Sequence, residues 1–365
     1  MNPARDLTWP AEDFSRVPYT VFVDDEIYRL EQERIFRGSV WNFAGLEAEI
    51  PKPGDYRTTF IGDTPVVVNR GSDGILNAFV NRCAHRGTLL VRDLGGNADD
   101  FTCIYHHWCY DQAGDLVGVP FIRSLKGKGG MPADFAMSDH GLHHLKIASY
   151  RGVIFVSFAR DTEPLEQFLD QPMREYFDTV FGRPIEILGY LRQRIPANWK
   201  LYYENLVDDY HGGLLHPFQV TFGIARMTQG GGSITDKMGR HRWVHVEHGT
   251  DSDEEAAAGY AGTTVYDDTF KLRDPSIADF RDEDGDQRGT NLMCVFPNAL
   301  FQRLSSSLTT RQIRTHSAGM YELFWTVFGY ADDDEELRQM RMKQINLVGP
   351  SGLISMEDGE AGRLL

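Results

Sequence analysis

Cysteine is scarce in this sequence: Cys83, Cys103, Cys109 and Cys294 are the four in 365 residues. So few thiols exclude a disulfide scaffold in a chain of this length, and leave metal binding or plain burial as their uses. Basic side chains are short too, with 37 Lys and Arg against 53 Asp and Glu and a formal charge of −16. Nucleic acid and anionic membranes are recognised through an excess of lysine and arginine, so neither is expected as a main partner. An acidic surface suits a redox partner with a basic face. No stretch approaches the roughly 20 apolar residues of a membrane span, and the opening MNPARDLTWPAEDF lacks the basic-then-apolar pattern of a signal peptide. A cytoplasmic location is therefore expected. Internal repeats are absent. What is present, 41% hydrophobic and 25% charged residues, is a soluble globular composition with room for one large domain or two ordinary ones.

Residues 24–36, DDEIYRLEQERIF, open with acids and space Ile27, Leu30 and Ile35 as an amphipathic helix does. The texture then changes to short β-rich runs (DYRTTFI, TPVVVNR, GILNAFV, RGVIFVSF) broken by turn signals, which predicts an antiparallel β domain over 38–158. Residues 1–37 and 159–365 are assigned to a second domain. There PLEQFLDQPMREYF reads as helix and IEILGYLRQRI as strand. A run of strands follows (LMCVF, ALFQRL, SLTTRQI, YELFWTVFGY), and then a helix over DDDEELRQMRMKQI. Strands and helices are segregated, so the expected class is α+β, an all-β domain plus one with an antiparallel sheet flanked by helices. The acidic, glycine-containing stretches GTDSDEEAAAGYAGTT and RDPSIADFRDEDGDQRG read as mobile loops or a lid.

Within the β domain, CAHRG at 83–87 and CIYHHW at 103–108 give Cys-x-His and Cys-x-x-His, with seventeen residues between them. One cysteine and one histidine from each of two loops is the ligand set of a Rieske [2Fe-2S] cluster: Cys83 and Cys103 on one iron, His85 and His106 on the other. Neutral imidazoles leave less negative charge on the cluster than four thiolates would, which raises its potential. A structural zinc uses the same residue types, but pairs Cys with Cys and His with His in a finger. Cys109 and Cys294 read as buried thiols. In the second domain, ENLVDDYHGGLLH at 204–216 holds His211 and His216, five apart and so divergent on an unbroken helix. The Gly212-Gly213 pair is expected to distort the turn and bring them together. Two histidines and one carboxylate suit a mononuclear non-haem iron. Glu204, Asp208, Asp209, Glu357, Asp358 and Glu360 are all candidates for the acid. His140, His143, His144, His241 and His245 read as surface or packing residues.

The chain resembles the large, α subunit of the Rieske non-haem iron aromatic ring-hydroxylating oxygenases. The similarity is carried by IFRGSVWNFAG and IPKPGDY, both cluster loops, NWKLYYENLVDDYHGGLLH and VGPSGLISMEDGEA. It implies that Cys83, His85, Cys103 and His106 hold the cluster, and that His211, His216 and Asp358 hold catalytic Fe(II). It makes Asp208 the electron bridge between the partner subunit's His106 and His211. The implied assembly is a trimer, either a homotrimer or α3β3 with small β subunits. The implied partners are a reductase drawing on NAD(P)H, directly or through a ferredoxin, with O2 as co-substrate. The likeness is strongest to the subgroup acting on aromatic carboxylates such as salicylate, anthranilate and terephthalate. Conversion of salicylate to gentisate is the first expectation, and dioxygenation of anthranilate or terephthalate the alternative. A different class, a Rieske electron-transfer protein, would need the β domain alone.

A carboxylate in an apolar pocket needs a cationic partner, and Arg311 in SLTTRQI, on the same strand face as Ile313, is the candidate, with Arg303 second. Asn205, Val207, Leu215, Phe218, Met293 and Phe301 are the expected pocket walls. Members of the family usually continue well beyond the carboxylate ligand, whereas seven residues follow Asp358 here.

Overall fold

The structure, a computed structural model, describes residues 8–9, 15–226, 229–248, 252–267 and 269–365. The chain divides into two compact units, one of Gln32–Leu165 and one joining the segment up to Glu31 to Glu166–Leu365. The first unit is therefore wider at both ends than residues 38–158.

In the second unit's N-terminal segment, α1 (Thr20–Val23) is followed by α2 (Asp25–Glu31). The helix expected over 24–36 is α2 together with a π-helical turn, Gln32–Phe36, that belongs to the β unit. The β unit has ten strands: β1 (Asn42–Leu46), β2 (Asp55–Ile61), β3 (Thr64–Arg70), β4 (Leu76–Val80), β5 (Gly95–Asn97), β6 (Asp100–Thr102), β7 (Cys109–Asp111), β8 (Leu116–Gly118), β9 (Lys146–Tyr150) and β10 (Val153–Ser157). They form three sheets, ordered β1-β10-β9, β4-β3-β2-β5 and β6-β7-β8. Val67, Phe79, Phe101, Trp108, Tyr110 and Leu116 close a core beneath the two cysteine loops.

In the second unit α3 (Leu165–Phe168) and α4 (Gln171–Val180) lead into the long strand β11 (Ile185–Ile195). Helix α5 (Trp199–Leu206) and the short helices α6 (Gly212–Leu215) and α7 (Pro217–Thr221) follow, then β12 (Gly231–Thr235), β13 (His241–Glu247) and α8 (Asp253–Gly259). Strands β14 (Arg288–Val295), β15 (Ala299–Leu304), β16 (Ser307–Ser317) and β17 (Met320–Tyr330) precede α9 (Glu335–Val348) and α10 (Leu353–Leu364). Seven strands make one sheet, β11-β17-β16-β15-β14-β13-β12, antiparallel throughout. The α+β class follows from this separation of sheet and helices.

Both faces of the central strands are covered, so β16 and β17 are buried almost end to end, polar residues included. On one face Met293 and Phe301 pair across β14 and β15, and Phe301 meets Phe177 and Phe181 edge-on at 5.1 and 5.7 Å. Burying one such side chain stabilises the fold by about 2 kcal/mol. The opposite face carries the site described next. Among the described residues the two stretches read as mobile loops or a lid contain α8, a 3-10 turn at Pro275–Ala278 and the start of β14, while Gly249, Thr250 and Asp251 lie outside the described residues.

Candidate metal centres

Two loops of the β unit are built alike. In each the residue four after the cysteine has positive φ, Gly87 at 71° and His107 at 57°. In each its N–H donates to the cysteine carbonyl, at 2.8 and 2.9 Å. The cysteine N–H donates in turn to the carbonyl of the next residue along, Thr88 or Trp108. Glycine takes the left-handed conformation freely, whereas His107 does so at a cost of about 1 kcal/mol. Cys83 and Cys103 are buried, and His85 and His106 stand outward with ring centroids 4.6 Å apart. No three of these four residues bring donor atoms within 4.8 Å of one another, as a single tetrahedral ion would require. Thiolates inside and imidazoles outside instead suit a two-iron cluster.

Sequence reasoning missed two supports, Trp108 and Tyr110. His85 stacks on Trp108 at 4.7 Å, and the Tyr110 hydroxyl accepts from the Ala84 N–H at 3.0 Å while lying 3.3 Å from the Cys83 sulfur. Their alternate positions leading into β7, aimed inward, were the available signal. Cys109 is half-buried outside the ligand loops, and burial pushes its thiol up. Cys294 is fully buried, donates to the Leu206 carbonyl at 3.3 Å, and is pushed up by burial to about 12.

In the other unit α5 is capped at its start by Asn198, whose side chain accepts from the Lys200 N–H, and at its end by Val207. Asp208 therefore lies in a turn and not on a continuing helix. His211 Nδ1 donates to the Asp208 carbonyl at 2.8 Å, with the carboxylate 3.4 Å away. Both glycines of the Gly212-Gly213 pair sit inside α6, contrary to expectation. The chain breaks at His216 (φ −111°, ψ 64°), because Pro217 bars the preceding residue from helical dihedrals. This turns the His216 ring to 5.5 Å from that of His211.

Asp358, 7% exposed on α10, completes the group. Its Oδ1 lies 3.1 Å from His216 Nε2 and 3.7 Å from His211 Nε2, and one donor atom from each residue falls within 4.8 Å of the others. His216 Nδ1 is held at 2.6 Å by Glu357 Oε2, and Asn205 donates to Asp358 at 3.2 Å. With both Nδ1 atoms engaged outward, both Nε2 atoms face the carboxylate, the arrangement of a ready metal site. Burial alone would lower the His216 pKa, but its bonds to Asp358 and Glu357 outweigh that and hold it above the ordinary imidazole value. The remaining candidate acids point elsewhere: Asp209 pairs with Arg242, Glu360 with Arg363, and Glu204 is exposed.

A cavity of about 350 Å³ opens beside this triad. Arg311 lines it, 2% exposed, its Nη1 donating to the Tyr202 hydroxyl at 2.9 Å, its Nη2 to Gln302, and its plane lying 3.9 Å over the Trp325 ring. Burial pushes Tyr202 up to about 12, so its hydroxyl keeps its proton. Among the described residues no carboxylate pairs with Arg311, and its Nε has no partner. Arg303 projects from the other face and pairs with Asp284.

Of the expected pocket walls Asn205 lines this cavity, and Val207, Leu215, Phe218, Met293 and Phe301 lie outside its lining. The two strand residues miss because the pleat runs in the other phase: Leu292, Leu300, Gln302 and Leu304 face the cavity. Phe218 packs instead with Ile224, Leu304 and Val348. Val207 caps α5, and Leu215 is the last residue of α6.

These two centres find their counterparts in known proteins. Residues 40–128 match the Rieske [2Fe-2S] domain, and residues 175–362 match the ring hydroxylating alpha subunit catalytic domain. Anthranilate 1,2-dioxygenase large subunit from Burkholderia cepacia is 48% identical over all of this chain and 86% of its own length. This chain belongs to the ring-hydroxylating oxygenase alpha-subunit family. Two other relatives of this alpha subunit act on other acids. Terephthalate 1,2-dioxygenase terminal oxygenase component subunit alpha 2 from a Comamonas species is 42% identical, over 98% of this chain and 86% of that one. The large oxygenase component of salicylate 5-hydroxylase from a Ralstonia species is 43% identical, over 98% and 85%. Naphthalene 1,2-dioxygenase from a Rhodococcus species, solved with indole bound, superposes with a TM-score of 0.78 at 26% identity over 95% of this chain and 81% of that one. The alpha subunit thus carries a Rieske [2Fe-2S] domain and a catalytic domain of the mononuclear-iron type, and is a terminal oxygenase component that hydroxylates aromatic rings. Among its described residues no helix is long and apolar enough to cross a membrane.

Proposed function

We propose that this oxygenase hydroxylates an aromatic carboxylate, with Arg311 as the anchor for the acid group. The observation that carries the reading is a buried guanidinium without a carboxylate partner, lining the same cavity as His211, His216 and Asp358. An arginine kept from water lacks compensation until an anion arrives, and a planar carboxylate can satisfy it with two hydrogen bonds. Tyr202, Gln302 and Trp325 fix the guanidinium beforehand, so little order is lost on binding.

In this reading Cys83, His85, Cys103 and His106 hold the cluster, and His211, His216 and Asp358 hold the iron. When bound, the iron supplies the oxidising chemistry with dioxygen. Arg311 fixes the carboxylate and hence the orientation of the ring. The Asp208 carbonyl and Glu357 hold the two Nδ1 protons away from the metal side. The half-exposed Asp208 carboxylate, 3.4 Å from His211 Nδ1, would link His211 to the partner subunit's His106 in a trimer, with or without β subunits. Electrons would come from a reductase using NAD(P)H, directly or through a ferredoxin. The carboxylate is common to salicylate, anthranilate and terephthalate, so Arg311 favours the acid class and not one member. Salicylate to gentisate is the reference reaction.

The test is a single turnover: load both metals, reduce chemically so that no partner is required, add salicylate or another aromatic acid with labelled oxygen, and identify products by mass spectrometry. Gentisate with one labelled atom supports salicylate 5-hydroxylation, and a diol with two supports dioxygenation. No labelled product from any aromatic acid would overturn the proposal in favour of an uncharged aromatic substrate.

A further inference from the structure

The size and shape of the cavity bear on the substrate class, and the inference drawn from them rests on the aromatic-acid reading above. Its volume of about 350 Å³ is more than twice the roughly 150 Å³ that takes up benzene in an engineered apolar cavity. Its lining crosses five neighbouring strands, from Arg311 on β16 through Leu300, Leu292 and Val244 to Ser233 on β12. Four inter-strand spacings amount to roughly 19 Å, and one ring with its carboxylate spans about two of them.

The anchor and the triad lie at the same end of this floor. Tyr202 and Asn205, three apart on one face of α5, bond Arg311 and Asp358 respectively. A ring whose carboxylate meets Arg311 is therefore already beside the metal. It leaves the part under β13 and β14 unfilled, where Leu292, Val244 and Val246 form an apolar wall, with Leu304 of β15 beside them and Ser233, His245 and Thr290 at its polar edge. An apolar surface of this extent gains most from an apolar occupant.

We propose that the substrate is a two-ring aromatic acid, with the acid-bearing ring at Arg311 and the triad and the second ring against β13 and β14. Neither the monocyclic acids nor the naphthalene named in the relatives combines a carboxylate with a second ring. Specificity then has two independent parts, charge at β16 and length toward β12.

The proposal is tested by calorimetric binding to the protein holding both metals, kept free of oxygen. The ligands are salicylate, phenyl-substituted salicylates and the uncharged amide of each. The best phenyl-substituted acid should bind at least tenfold more tightly than salicylate. Val244→Trp, at a partly exposed position lining the far half, should remove that gain and leave salicylate binding within about threefold. If no phenyl-substituted acid gains over salicylate, the two-ring proposal is overturned while the acid reading stands. A gain left intact in Val244→Trp overturns it equally. If amides bind as tightly as acids but the phenyl gain persists, the Arg311 reading fails and the length proposal survives. The wild-type ligand series decides the question even if the variant does not fold.

Discussion

At Arg311 a cation is buried with no carboxylate paired to it among the described residues, and a buried ion without a paired counter-ion is a poor use of stability. Arg311→Met should therefore keep or raise the melting temperature while lowering kcat/KM for an aromatic acid by about 100-fold, the scale of losing charge-assisted hydrogen bonds. Thermal melts and steady-state rates on one preparation check both, and a destabilised variant with unchanged kcat/KM would contradict the anchor. His241 shows the reverse case, a side chain that is structural and pH-dependent. Its Nε2 donates to the Phe168 carbonyl and its Nδ1 accepts from the Phe296 N–H, so burial keeps it neutral and lowers its pKa to about 4. An imidazole neutral when folded contributes stability above the unfolded value near 6.5, and that contribution is lost as pH falls toward 4. The loss is on the order of 3 kcal/mol. His241→Gln should flatten the pH dependence of the unfolding free energy over that window; an equally steep profile would show that other groups govern it. Single residues of this kind differ in how far the sequence exposes them. Both cluster loops stand out by spacing, because each mixes one cysteine and one histidine. The choice of Asp358 among six acids does not, because it depends on how α10 meets α6 and α7.

Elements place the triad, and the placing depends on backbone contacts that leave little trace in sequence. The turn Gly349–Gly352 packs α10 against the end of α9: a Cβ on Gly352 would sit 2.2 Å from the Leu347 carbonyl oxygen. Backbone cannot yield as a side chain end does. Gly352→Ala should displace α10, costing about 2 kcal/mol of stability and weakening iron retention through Asp358, while leaving the cluster's reduced-state EPR signal unchanged. Metal analysis with EPR checks this, and full iron occupancy would contradict it. Pro217→Ala acts on the other ligand pair, since helix could then run on through His216 and carry its ring away from His211. Iron affinity should fall about tenfold in a competition with a chelator; unchanged affinity would show that packing alone sets the His216 turn. The glycine pair beside it suggested the break in sequence, but the proline imposes it. Likewise alternation along LMCVF and ALFQRL reveals strands without revealing which parity faces the cavity. Both faces are buried, so Met293 and Phe301 look as plausible as Leu292 and Leu300. The helix over 335–348 was legible because one face meets the sheet and the other meets water.

On the scale of the whole molecule the chain joins two compact units, each with its own metal-binding group. The division was readable from texture, short β runs giving way to helices and long strands, while the π-helical turn at Gln32–Phe36 blurred the first boundary. Because the two ligand sets share no residue, a chelator selective for exposed ferrous iron should abolish turnover and leave the cluster's visible absorption in place, and added Fe(II) should restore the rate. The two-part design predicts that either site alone is inactive. The most direct test of the central claim, an aromatic acid oriented by Arg311 beside the His211, His216 and Asp358 iron, is single-turnover product formation with labelled oxygen. Each acid, salicylate and its phenyl-substituted forms, is compared with its neutral amide, in the native protein and in Arg311→Met. We expect labelled product from at least one acid, little from its amide, and loss of that preference in the variant. Equal yields from acid and amide in the native protein would contradict the account.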